Sequence, residues 1–251
     1  MARPSFRRTS LRFARALLAA VVVLGCGCAG TGSSAPRYRF FELPDSVDAW
    51  TPQISGWQAR ERAVPDTELL RPDAITGEAP VSEGGAGGAG ASATRGELRA
   101  EYFSFRADRK RELARELAAW IQGEAKRHYI PDGPVDHWAT LEETLARNGD
   151  DCDGLELLSF HFLLDLGFRP DEVYRAIVFR ASDGQHHMVT LWFESPDDPW
   201  VIDPTGAMTG GMPRLSELPG WAPLKLFTEQ AEYTVRSNDL SPAGAVARRA
   251  P

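Results

Sequence analysis

Three side chains of this sequence, far apart along it, have the types and order of a nucleophilic catalyst. Cys152 lies in Asn148-Gly149-Asp150-Asp151-Cys152-Asp153-Gly154, His187 opens an alternating apolar run, and Asp203 lies in Val201-Ile202-Asp203-Pro204-Thr205. A thiol, an imidazole and a carboxylate can act as nucleophile, general base and the group that orients the base. The chain has three cysteines, and the other two, Cys26 and Cys28, fall at the end of an amino-terminal leader. Cys152 therefore has no obvious disulfide partner, and a lone thiol in an oxidising compartment is a liability unless it is buried or used.

The acids around Cys152 complicate its chemistry. At the first turn of a helix a thiol meets unpaired amides and the positive end of the helix dipole, which favour the thiolate and can hold an oxyanion. Asp150, Asp151 and Asp153 act the other way, because nearby carboxylates raise a thiol pKa. A cation would resolve the conflict, and oxygen donors at a helix start suit calcium. The simpler role for Asp150 or Asp151 is a helix cap, with the remaining acids solvated.

The elements that must position these groups can be read from periodicity. Leu113, Leu117, Trp120, Ile121 and Ala125 have the spacing of one helical stripe, predicting a helix from about Ala107 to His128. Trp138 to Ala146 reads as a short helix with Thr140 and Glu143 at capping-box spacing. Residues 152 to 166 form a central helix, with Leu155, Leu158, Phe162 and Leu166 on one face. Leu157, Phe160, Leu163 and Leu164 widen that face, so the helix should be buried almost all round. Past Gly167 the period changes to two. Tyr174 to Arg180 and His186 to Phe193 read as strands joined through Asp183-Gly184, and Trp200 to Asp203 as a third. Helices followed by an antiparallel meander indicate an α+β fold.

Within the second strand, His187, Val189, Leu191 and Phe193 share one face while His186, Met188, Thr190 and Trp192 share the other. The first set is the more uniformly aliphatic and is expected to face the central helix, which favours His187 over His186 as the base. Asp203 shares a face with Val201 and can lie beside His187 if the strands pair. Taken singly, His187 can also be a packed strand residue, Asp203 a cap for the turn at Pro204, and Cys152 a small buried side chain.

Residues 1–25 carry five arginines followed by an apolar run from Ala16 to Leu24, the layout of a signal peptide. That run is roughly half of the ~20 residues a membrane-spanning helix needs. Val23-Leu24-Gly25-Cys26 resembles a bacterial lipoprotein cleavage box, with Cys26 as the lipidation site and Cys28 a weaker candidate. Loss of residues 1–25 removes five of the 28 basic residues and none of the 35 acidic ones, moving the formal charge from -7 to -12. Such an acidic chain is a poor partner for nucleic acid. Residues 26–36 read as a tether, and 37–71 as a small accessory segment that either docks on the main domain or binds something else. Residues 72–96 read as a Gly/Ala-rich linker, 97–236 as the main domain and 237–251 as a disordered tail.

Four stretches, in this order, resemble the bacterial transglutaminase-like cysteine proteinases. They are Asp136-His137-Trp138-Ala139-Thr140-Leu141-Glu142-Glu143, Asp150-Asp151-Cys152-Asp153-Gly154, His187-Met188-Val189-Thr190 and Val201-Ile202-Asp203. The resemblance spans residues 117 to 205. It implies a papain-like fold, a Cys152, His187 and Asp203 triad, and calcium held by Asp151 and Asp153. Two departures stand out: Asp150 replaces a usual Gly, and Gly154 replaces a usual Asp. Thr205-Gly206 after Asp203-Pro204 is closer to the broader transglutaminase-like superfamily.

These readings lead to an expected cysteine peptidase or amidase in the cell envelope. It would act on a protein or peptide substrate while a lipid anchor, on the outer membrane by preference because Gly27 is not Asp, holds it to the periplasmic side. Amide transfer from glutamine to an amine would use the same groups. A tethered binding module with this fold is the alternative that needs no catalysis.

Overall fold

The computed structural model describes residues 37–64 and 91–238, with side chains from Glu97 onward in the second stretch. The leader with Cys26, the tether, the Gly/Ala run of the linker and the end of the tail lie outside the described residues. The described residues form one compact unit that contains all three apolar clusters. In chain order its elements are β1 (Tyr38–Glu42), α1 (Thr51–Glu61), α2 (Ala91–His128), α3 (Leu141–Arg147) and α4 (Cys152–Asp165). There follow β2 (Val173–Arg180), β3 (Gln185–Trp192), β4 (Trp200–Ile202), β5 (Trp221–Phe227) and β6 (Glu232–Ser237). No described helix is long and apolar enough to cross a membrane.

The architecture is α+β. All strands pair antiparallel in one sheet of order β1-β6-β5-β2-β3-β4. The meander expected from the sequence is its β2-β3-β4 half, and β5, β6 and β1 extend the sheet on the other side of β2. The local pattern hides β5, because Pro223 sits within it. Proline cannot donate to the ladder, and the register with β2 shifts there, between Ile177 and Val178. In a flat sheet β1 and β3 would lie ~19 Å apart at the usual strand spacing. The rings of Phe40 and Phe193 are 5.0 Å apart, so the sheet curls.

The helices cover one face. Met188 packs with Leu157 and Trp138, Trp192 packs with Phe160 and Leu163, and Thr190 donates to Glu156 of α4. The opposite face gathers side chains from all six strands, including Val189, Leu191, Val201, Phe40 and Trp221. This corrects the expected orientation of β3: the Met188 set, not the His187 set, faces α4. Both faces are buried in the curled sheet, so apolar uniformity could not tell them apart.

The helix expected from Ala107 begins at Ala91, since nothing in Glu97 to Arg111 breaks a helix. Ala114, Leu117, Ala118, Ile121 and Ala125 form its buried stripe, whereas Trp120 is half exposed. On α4 the first three turns are enclosed, but Phe162 and Leu166 reach solvent, and Leu157, Phe160 and Leu163 make the core contacts assigned above to the other face. α3 starts after Thr140 with both halves of the capping box in place: Glu143 N–H donates to Thr140 Oγ1 (3.2 Å) and Thr140 N–H to Glu143 Oε2 (2.7 Å).

The accessory segment docks. β1 pairs with β6, and α1 sinks Ile54 and Trp57 fully into the cluster containing Met188 and Phe227. Gln58 of α1 donates to the carbonyls of Thr228 and Ala231 in the β5–β6 turn.

Candidate active site

The loop that presents Cys152 is stitched to the end of α2. Asp150 N–H donates to the His128 carbonyl (3.1 Å) and Ile130 N–H to the Asp150 carbonyl (2.9 Å). Gly149, at φ +148°, passes so close that a Cβ there would stand 2.1 Å from the His128 oxygen, which makes glycine obligatory. Asp151 then caps α4, its Oδ1 accepting from Asp153 N–H (3.2 Å), and Cys152 becomes the first helical residue. Asp151 therefore takes the cap role that the sequence left open between two acids.

On the sheet, His187 and Asp203 meet. The imidazole Nε2 is 2.8 Å from Asp203 Oδ1, and both side chains are buried. Asp203 accepts further from the backbone amides of Thr205 and Gly206 at Oδ1 and of Met208 and Thr209 at Oδ2. Burial alone would raise its pKa, but the His187 hydrogen bond and charge together with the amides of Thr209 and Met208 hold it below the usual carboxylate value. An ionised carboxylate only accepts, so Nε2 carries the ring proton and Nδ1 remains the basic nitrogen. Gln122 of α2 braces the loop, donating to the carbonyls of Asp203 and Thr209 and accepting from Gly211 N–H. One helix thus supports both the loop before the thiol and the loop after the carboxylate.

The thiol lies on the helix side of β3, packed in the cluster that holds Met188 and Trp138. The Met188 amide, next in sequence to His187, stabilises a charge on the sulfur. The hydrogen bonds of the imidazole run to Asp203 and Thr205, not to the sulfur. The structure therefore joins two of the three expected residues directly and brings the third to the neighbouring strand position. Burial pushes the Cys152 thiol up, Asp151 and Asp153 push it further, and the Met188 amide only partly offsets them.

Asp151, Cys152 and Asp153 place one donor atom each within 4.8 Å of one another. Burial, then a hydrogen bond and charge from Asp151, drive the Asp153 carboxyl well above its ordinary pKa. Two carboxylates this close need a proton or a cation between them. Asp153 Oδ2 is also buried without a hydrogen-bond partner, so the Asp151 and Asp153 carboxylates fit a hard cation such as calcium. The resemblance gives the metal role to Asp151 and Asp153 and leaves Asp150 out of it. The buried carboxylate of Asp150 fills the space above Gly154, where a Cβ would stand 2.3 Å from Asp150 Oδ2. The two departures from the resembled motif are thus one steric exchange: aspartate at 150 requires glycine at 154.

Sequence reasoning missed several neighbours. Arg175, wholly buried on β2, donates to the Asp153 carbonyl (2.8 Å) and pairs with Glu156, tying the first turn of α4 to the sheet. Partial burial, followed by the fields of Asp151 and the Cys152 sulfur, raises the Tyr129 phenol. Trp50 lies against both Trp138 and His186, so the amino-terminal segment lines the same region. An arginine inside an apolar strand pattern, Tyr174-Arg175-Ala176-Ile177, was the available signal for the buried pair. Tyr129, Gln122 and Trp50 carried none.

No protein-family model matches the chain, and no curated protein matches it. Among solved structures, Legionella pneumophila LapG aligns at 17% identity over 48% of this chain and 68% of that one, with a TM-score of 0.42. Its EGTA-treated form aligns at 16% over 54% and 75%, with a TM-score of 0.44. The calcium-bound form aligns at 16% over 52% and 76%, with a TM-score of 0.41.

Proposed function

We propose that the chain is a cysteine peptidase or amidase of transglutaminase-like type, acting in the cell envelope with Cys152, His187 and Asp203 as its triad. The observation that carries the reading is the buried His187–Asp203 pair one residue from the Met188 amide that meets the thiol. His187 Nδ1 takes the Cys152 proton as sulfur attacks the substrate carbonyl carbon. The Cys152 N–H, at the first position of α4, has no intrahelical acceptor and is suited to the oxyanion. The imidazolium returns its proton to the leaving nitrogen as the C–N bond breaks. Water, deprotonated by the same nitrogen, then splits the thioester. Asp203 holds the Nε2 proton throughout, so Nδ1 is the nitrogen that gains and loses the transferred proton.

Asp151 and Asp153 would hold calcium, whose charge would offset the carboxylates that disfavour the thiolate. A lipid at Cys26 would keep the enzyme at the membrane near its protein substrate. A non-catalytic binding module has one observation in its favour: the imidazole hydrogen bonds run to Asp203 and Thr205 rather than to the sulfur.

Iodoacetamide labelling of Cys152 separates the two. The catalytic reading expects labelling at least ~10-fold faster than free glutathione at neutral pH, slowed about as much by His187→Ala. It also expects slowing by EGTA and recovery with calcium. Labelling slower than glutathione in calcium, unchanged in His187→Ala, would sink the catalytic reading in favour of the binding module.

A further inference from the structure

The first turns of α2 project from the body. Residues 97–106 are exposed without interruption, and the first buried residue of the helix is Ala114. Four of the exposed side chains are large and apolar: Leu98 (69%), Tyr102 (57%), Phe103 (45%) and Phe105 (65%). At 3.6 residues per turn, residues three and four apart fall in line. Leu98, Tyr102, Phe105 and Arg109 make one line. Arg99, Phe103, Arg106 and Lys110 make the next, with the Arg99 guanidinium over the Phe103 ring at 4.9 Å. Glu97, Glu101, Ser104, Asp108 and Glu112 make a third, on the side of the helix away from the second.

Two adjoining lines thus present aromatic and aliphatic groups among basic ones, with every carboxylate kept off them. Lys110, at their inner end, is already engaged by Glu172 and the Phe168 ring, so the free stretch runs from Leu98 to Arg106. Arg109 also pairs with Glu112. Apolar and basic groups on one flank of a helix, with acids opposite, match the depth profile of a bilayer surface, where rings enter the headgroup boundary and guanidinium groups meet lipid phosphates. The whole chain is acidic at formal charge -7, so only a local patch can favour a negatively charged membrane.

We propose that this half of α2 is a membrane-surface helix that lays Leu98, Tyr102, Phe103 and Phe105 into an anionic bilayer with Arg99 and Arg106 on the phosphates. It would hold the body against the lipid and fix how the site faces it. The contact needs neither a lipid at Cys26 nor a working thiol, so it is independent of the catalytic reading.

The test is flotation of the full chain carrying Cys26→Ser, which removes the lipidation site, with vesicles of phosphatidylcholine alone or mixed with phosphatidylglycerol. The expected result is binding to the mixed vesicles at least tenfold tighter than to the neutral ones, weakening as salt is raised. Phe103→Glu with Phe105→Glu should lose it at least tenfold, while Glu101→Gln and Cys152→Ala keep it. Circular dichroism and thermal melts show whether each variant is folded. No flotation with mixed vesicles overturns the proposal, as does binding that survives the double substitution. So does concentration-dependent dimerisation without vesicle binding, which would assign the face to a second copy.

Discussion

At the scale of single residues, the first turn of α4 is governed by close contacts between acids and backbone. Gly154 has no room for a methyl group beneath Asp150. Gly154→Ala should destabilise the protein by about 1–3 kcal/mol through overpacking. Asp150→Gly in the same chain should recover most of that, because the clash involves Asp150 Cβ as well as its carboxylate. Urea denaturation of the four members of the cycle measures it, and additive losses would refute the steric exchange.

Asp203 offers a pH test. Its folded pKa lies below the usual value despite burial, because His187 and the amides of Thr209 and Met208 favour the ionised form. A depressed carboxylate contributes stability above its unfolded pKa of ~3.9 and loses it as pH falls through the folded value. Asp203→Asn should therefore lower stability at neutral pH by about 2 kcal/mol, the worth of bonds to a charged acceptor. The gap in melting temperature should narrow as the pH falls below ~4. A gap independent of pH would remove ionisation from the account.

At the scale of elements, α1 and α2 are the parts whose importance local pattern understated. α1 is short and begins at a proline-containing turn, yet Trp57 is wholly enclosed, against Phe227 and beneath the Arg175 guanidinium. Trp57→Ala should cost about 3–5 kcal/mol, read as a lower midpoint in urea. A cost near zero would mean that the amino-terminal segment is an accessory after all. α2 is more than a core helix, since its last turn holds the Asp150 loop and Gln122 holds the loop after Asp203.

At the scale of the whole molecule, one sheet and three apolar clusters draw on residues from 38 to 235, so the amino-terminal segment and the last two strands belong to the same folding unit. The sequence by itself determined what is local. The α2, α3, α4, β2, β3 and β4 periodicities, the Thr140–Glu143 capping box and the Asp183-Gly184 hairpin depend on neighbours a few residues apart, and the order of thiol, imidazole and carboxylate is written in the chain itself. It could not determine which face of β3 meets α4, because curling buries both faces and removes the polar alternation that marks an outside. Nor could it place β5, β6 and β1 beside β2, pair Arg175 with Glu156, or show that Asp150 fills the space above Gly154. Those outcomes come from contacts between distant segments, where burial and steric fit, rather than periodicity, set the energy.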